Sequence, residues 1–124
     1  MGGASAVHNE IGGGLLEEVY QQSFEIELGL REIPFVAKQA IDIYYKGTKL
    51  KKTYIPDLLV FERIAVELKS VSELTKEHEA QLLNYMRLSR LPIGYLINFA
   101  PLEEVEWKRF LISEFSKETE IGEI

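Results

Sequence analysis

The stretch Val66-Glu67-Leu68-Lys69 sets a carboxylate and an ammonium two residues apart. On a β-strand that spacing puts Glu67 and Lys69 on one face, while Ile64, Val66 and Leu68 pack on the other. Such a pair can be an idle surface ion pair, the common case for Glu-x-Lys. It can also be a ligand for a hard cation beside a lysine that steadies a water nucleophile. The segment Ile55-Pro56-Asp57-Leu58-Leu59-Val60-Phe61 shifts the balance, because it places one acid at the head of an otherwise apolar strand. Charges seldom enter such runs unless they are paired or metal-bound.

Strand parity constrains how Asp57 can join the other two. A two-residue turn at Glu62-Arg63 pairs Asp57 with Leu68, on the wrong face. A three-residue loop, or a bulge near Pro56, moves Asp57 to the face of Glu67 and Lys69. The functional reading requires an odd-length connection or a bulge, and the structural reading does not.

Two helical stripes carry further candidates. Gly14, Glu17 and Tyr20 stand three apart on one face of a helix. The glycine would let another backbone approach, and the acid and phenol could both look into a cleft. Equally, the acid could serve the helix dipole and the tyrosine lie half-buried. On a later helix His78, Gln81 and Tyr85 share a stripe. Gln81 and Tyr85 could hydrogen-bond a phosphate, a metal-bound water or Lys69, or form an exposed polar stripe.

The elements that must position these residues follow from periodicity. Residues Met1 to Gly14 are glycine-rich at both ends, with a helical turn expected around Ala6 to Ile11. The run Gly12-Gly13-Gly14 should interrupt any helix, since each glycine costs roughly 1 kcal/mol there. No Lys-Ser/Thr pair follows, so it is not a phosphate-binding loop of the Walker type. A helix is expected from Leu15 to about Gly29, and strands over Phe35–Tyr45, Leu50–Phe61 and Ile64–Lys69. A helix over Ser72–Leu91 ends before Pro92, and Ile93–Phe99 reads as a strand buried on both faces. A last helix is expected from Pro101 and Glu103-Glu104 to about Leu111, since acids suit a helix N-terminus. The order α, β, β, β, α, β, α permits a parallel crossover, so an α/β (α+β) fold with a mixed sheet flanked by helices is expected.

At 124 residues, with 46% hydrophobic and 27% charged residues, the chain has the size and composition of one globular domain. One domain over residues 1–115 and a polar tail over 116–124 are expected. The net charge of -6 provides no global basic field for a polyanion. Lys46, Lys49, Lys51 and Lys52 form a local basic cluster around the first hairpin. They either touch phosphates or keep an edge strand soluble. No cysteine is present, which excludes disulfides, thiol catalysis and cysteine-bound zinc, and two histidines are too few for a histidine-rich metal site. No apolar run approaches the ~20 residues of a membrane span, and the start lacks the features of a secretory signal. A soluble cytoplasmic protein is expected.

Taken in order, these residues resemble the small bacterial and archaeal GxxExxY proteins, named for the stretch seen here as Gly14-Leu15-Leu16-Glu17-Glu18-Val19-Tyr20. That family is grouped with the PD-(D/E)XK nuclease superfamily, nearest its RecB-like branch. The likeness runs from about Val7-His8 to Asn98-Phe99. Pro56-Asp57, Glu67-Leu68-Lys69 and Gln81-Leu82-Leu83-Asn84-Tyr85 match the superfamily signature in order. Each piece is weak, but the ordered set on this frame is specific.

The resemblance implies a restriction-endonuclease-like fold and a metal-dependent nuclease acting on DNA, and after it RNA. It implies that Asp57 and Glu67 ligate Mg²⁺ or Mn²⁺, with the Leu68 carbonyl as a further oxygen ligand. Lys69 would orient or help deprotonate the attacking water. Glu17 would be an outer acid, and Gln81 and Tyr85 would position the scissile phosphate or Lys69. His8 sits where some RecB-like relatives place a metal-binding histidine. Departures are a Gly13 where the family has the proline of a Gly-Pro-Gly motif, and an abrupt start that suggests truncation. A catalytically silent module that binds nucleic acid or a protein partner, and a homodimer held by apolar strands, are the competing expectations.

Overall fold

The computed structural model describes residues 1–116 and 124. The expected tail, apart from Ser116 and Ile124, lies outside the described residues. Helix α1 spans Gly2–Ile11 and α2 spans Glu17–Leu30. Strands β1 (Phe35–Ala37), β2 (Ile41–Tyr45), β3 (Thr48–Tyr54), β4 (Leu58–Val60) and β5 (Ile64–Lys69) follow. Helix α3 (Lys76–Ser89), β6 (Ile93–Asn98), β7 (Glu106–Leu111) and a 3₁₀ turn at Ser113–Phe115 complete the described elements. The strands form a five-stranded mixed sheet in the order β1-β4-β5-β6-β7 and a separate two-stranded sheet of β2 and β3.

Several boundaries differ from the sequence expectations, each for a local reason. Helix α1 occupies nearly the whole N-terminal segment rather than one turn, because Ala4 and Val7 are buried in the core. The single strand expected over 35–45 is two strands in two sheets, separated where Lys38 takes a left-handed φ of 55°. The strand expected over 50–61 breaks at Ile55-Pro56-Asp57, where proline has no N–H to offer a ladder. Helix α3 begins at Lys76 rather than Ser72, with Thr75 as N-cap in a capping box with His78. The last helix is absent: residues 106–111 are β7, antiparallel to β6. Trp107 and Phe110 suit a strand, and β6, buried along its length, needs a partner for its second edge.

The sheet separates two cores. Leu58, Val60, Ile64, Val66 and Leu68 face α1 and α2, packing with Tyr20, Phe24 and Phe99. Leu59, Ala65 and Leu96 face α3, packing on Leu82 and Met86. Gly94 lies under Met86, where an added Cβ would meet the sulfur at 2.5 Å. Helix α3 is the crossover between the parallel strands β5 and β6 and lies on the sheet face from which Glu67 and Lys69 project. No helix among the described residues is long and apolar enough to cross a membrane.

Candidate metal-dependent site

The connection from β4 to β5 decides where Asp57 points. Val60 pairs with Ile64, so three residues, Phe61, Glu62 and Arg63, make the turn. Phe61 and Glu62 both take left-handed φ values of 54° and 61°, and the Arg63 amide donates to the Val60 carbonyl at 3.1 Å. Leu58 pairs with Val66, and one step further that register sets Asp57 beside Glu67. This odd-length loop is one of the two arrangements that parity required.

Asp57 is buried and held from several sides. Its Oδ2 accepts from the Leu68 amide at 2.7 Å and its Oδ1 from Lys38 Nζ at 2.5 Å. Its carbonyl accepts from the Lys38 amide at 3.2 Å and from Gln21 Nε2 at 3.0 Å. In an extended strand the N–H and C=O of one residue leave on the same edge, so the Leu68 carbonyl opens on the side of Asp57.

Glu67 is half-buried beside it, and its Oε2 accepts a hydrogen bond from the Tyr54 hydroxyl. Burial lifts the Glu67 pKa to about 7; the Tyr54 bond and Lys69 pull it down, and the adjacent Asp57 pushes it up. Tyr54 is itself held protonated, first by burial and then by the Glu67 charge. Its ring stacks on Tyr85 at 4.5 Å between centroids and 7° between planes.

Glu67, Lys69, Gln81 and Tyr85 line one cavity of about 250 Å³, together with Tyr54 and His78. Asp57, beside Glu67 at the head of the neighbouring strand, is not part of that lining. Glu17 lines a different hollow of about 550 Å³ with Gln21 and Lys38. Lys38 joins the two regions: its pKa is raised chiefly by the Asp57 hydrogen bond, and also by the charges of Asp57, Glu67 and Glu17. His8 is buried in α1, with Nε2 at 2.6 Å from the Pro101 carbonyl. That bond ties it to the loop after β6 rather than to the two acids.

The residues fit a hard divalent cation. Two carboxylates share a poorly solvated spot in which one of them is kept from ionising at ordinary acidity, so added positive charge there is favourable. Among the described residues no three His, Asp or Glu side chains gather in metal-binding geometry. Two carboxylates and a carbonyl suit Mg²⁺, which takes one or two protein carboxylates and keeps several waters.

Four supporting residues were not found from the sequence. Gln21 holds the Asp57 carbonyl and also donates to Glu25 Oε2 at 2.9 Å. It lies one turn beyond Glu17 on the same helical face, which is the signal that could have found it. Lys38 and Tyr54 give no such signal, because each is placed by a break in a strand. Asn98 is fully buried and clamps the chain after Lys69, accepting from the Val71 amide at 3.0 Å and donating to the Val71 carbonyl at 2.9 Å.

Tyr20 belongs to the scaffold. It is fully buried, stacked on Phe99 at 4.5 Å. Its hydroxyl donates to the Gly12 carbonyl at 2.7 Å and accepts from the Leu15 amide at 3.0 Å. The close backbone approach falls at Gly13, where a Cβ would lie 2.3 Å from the Pro101 oxygen; Gly14 instead supplies a φ of 84°.

A family model described as the PD-(D/E)XK nuclease superfamily matches residues 1–110. No curated protein matches. Among solved structures, that of SSO0001 is similar, with a TM-score of 0.56 and 20% identity over 76% of this chain and 48% of that one. The likeness is one of fold, and this chain spans about half the length of that relative.

Proposed function

The chain belongs to the PD-(D/E)XK nuclease superfamily, and on that premise we propose that it is a metal-dependent phosphodiesterase acting on nucleic acid, DNA before RNA. The stretch from Gly14 to Tyr20 supports a place with the GxxExxY proteins of the RecB-like branch. The observation that carries the reading is the register of Asp57 with Glu67, with Lys69 two residues further along β5. Fold likeness alone does not give an activity; three chemically suited side chains on adjoining strands make the argument.

Asp57, Glu67 and the Leu68 carbonyl would hold Mg²⁺ or Mn²⁺. The ion would supply Lewis acidity at a phosphoryl oxygen and a lowered pKa for a bound water. Lys69, in the same cavity wall as Glu67, orients the attacking water and offsets negative charge that grows on the phosphoryl group. Gln81 and Tyr85 reach the same cavity from α3 and hold the phosphate by hydrogen bonds. Glu17, near Lys38, acts from further out. Buried Leu59, Ala65 and Leu96 beneath the site fix the strands that carry these groups.

The test is direct. Purified protein with Mg²⁺ or Mn²⁺ should nick or degrade DNA, and Asp57→Ala or Lys69→Ala should abolish this. Activity that survives both substitutions refutes the mechanism. Tight nucleic-acid binding with no cleavage under any divalent metal makes the protein a silent module instead.

A further inference from the structure

A second, larger cavity of about 650 Å³ adjoins the one at Glu67, and the two share Lys52, His78, Gln81 and Tyr85. Together they form a groove between the β2–β3 hairpin and α3, leading outward from the acids along the helix. Its hairpin wall carries Ile43 and Leu50, and its helix wall carries Asn84 and Leu88, with one acid, Glu77, at the start of the helix. The hairpin is a sheet of its own, apart from the five-stranded one.

Charge and aromaticity concentrate on that hairpin. Lys46, Lys49, Lys51 and Lys52 face one acid, Asp42, in a chain whose net charge is -6. The single Lys49–Asp42 pair is long, at 3.6 Å, and exposed. The β2–β3 register shifts between Asp42 and Tyr44, so Leu50 to Lys52 include extra residues on the β3 side. Such a bulge re-aims side chains, and Lys52 lines both cavities. Tyr45 is 61% exposed at the hairpin end, with Lys46 Nζ 5.5 Å from its ring centre, and Tyr44 stands exposed beside it.

His78 has a fixed hydrogen-bonding role. Its Nδ1 accepts from the Thr75 amide at 3.0 Å as part of the helix cap. The proton of the neutral ring therefore sits on Nε2, leaving a donor for the groove that His78 lines.

We propose that this groove seats one unpaired nucleic-acid strand, with Lys52 and the His78 Nε2–H gripping its phosphates and Tyr45 stacking a base. Resting on the hydrolytic reading for its location, it adds the substrate class. Lysines alone would serve a duplex equally well. Tyr45 stands at the turn, paired with Thr48, beyond the residues that line the groove, and an exposed tyrosine there serves unpaired bases, whose faces a duplex hides. The cavity beside Glu67, at about 250 Å³, is of a size for a phosphate and its sugar.

The experiment is fluorescence anisotropy in EDTA with labelled oligo-dT, labelled oligo-rU and a blunt DNA duplex of equal length. Either single strand should bind more tightly than the duplex. Tyr45→Ala should weaken it roughly 5- to 150-fold, the range for one lost base–aromatic stack. Lys52→Gln should lower the salt slope by about 0.7, the value for one phosphate on a single strand. His78→Glu keeps a capping box, so its melting temperature should match the wild type while single-strand affinity falls. Duplex binding equal to or tighter than single-strand binding overturns the proposal, as does His78→Glu or Tyr45→Ala binding like wild type. Because binding is read without metal, strand binding without cleavage would sink only the hydrolytic reading. Duplex cleavage unaffected by these variants would sink only this one.

Discussion

The Leu68 amide donates to Oδ2 of Asp57 at 2.7 Å, tying the aspartate to the strand that carries Glu67 and Lys69. One carboxyl oxygen is thus occupied by the scaffold, while the other carries a lysine. Asp57→Ala should leave the buried amide without a partner, a loss of about 1–3 kcal/mol. Asp57→Asn keeps an acceptor for that amide and gives up only the pair with Lys38, whose side chain is 58% exposed; such pairs are worth about 0–1 kcal/mol. Denaturant melts should therefore separate the two variants in stability, while cleavage assays find both inactive. An Asp57→Asn protein that still cleaves would remove Asp57 from the metal.

Glu67 predicts a pH dependence with opposite signs for folding and for metal binding. Its folded pKa, about 7, lies above its ordinary 4.5, first through burial. A raised acid contributes stability that is fully present below 4.5 and is lost as pH rises through about 7. The metal, in contrast, requires the carboxylate. Metal-free protein should lose melting temperature between pH 4.5 and 7, and the rise in melting temperature given by Mg²⁺ should be larger at pH 8 than at pH 5.5. Glu67→Gln should flatten both trends, and unchanged trends in that variant would assign them elsewhere.

Much of this arrangement was legible in the chain because it rests on period-two patterning. Val66-Glu67-Leu68-Lys69 alternates, and parity requires either an odd-length loop or a bulge near Pro56 to bring Asp57 to that face; the loop is the one found. The loop itself was not legible: Phe61 and Glu62 adopt left-handed backbone without the Asn or Gly that usually announces it. The same holds for Lys38, whose φ of 55° ends β1 and turns its side chain to Asp57. Residues 101–111 misled for another reason. Glu103-Glu104 reads as a helix start, yet β6 needs a neighbour on its open edge, and that tertiary demand outweighed local preference.

Lys38 holds the oxygen that a cation would need, so it must yield when metal binds. Lys38→Gln should strengthen Mg²⁺ binding by no more than about fivefold, since an exposed pair is worth about 0–1 kcal/mol. Calorimetry of Mg²⁺ binding reads this without any substrate. Weaker binding in the variant would mean that Lys38 organises Asp57 for the ion rather than competing with it.

The glycine turn offers a test of the scaffold apart from the chemistry. Gly13→Ala drives a methyl to within 2.3 Å of the Pro101 oxygen and 2.7 Å of the Ala100 oxygen. Backbone cannot move aside cheaply there, so a loss of about 1–3 kcal/mol is expected. Gly29→Ala, in α2 with open space around it, should instead stabilise by about 0.4–1 kcal/mol. Urea melts of the two variants should move in opposite directions, and a neutral Gly13→Ala would mean that the turn before α2 does not press on the loop after β6.

Tyr54 separates the roles of hydroxyl and ring at the site. Its hydroxyl hydrogen-bonds Glu67 and lowers that residue's pKa, while its ring stacks on Tyr85. Tyr54→Phe removes the first and keeps the second. With burial and Asp57 left to act on it, Glu67 should then hold its proton above pH 7. The acid limb of Mg²⁺-dependent cleavage should move to higher pH, and Mg²⁺ affinity should fall at pH 6.5 but recover at pH 8.5. A profile identical to wild type would mean that the Tyr54 hydroxyl does not set the charge of Glu67, and that its contact with the acid serves packing alone.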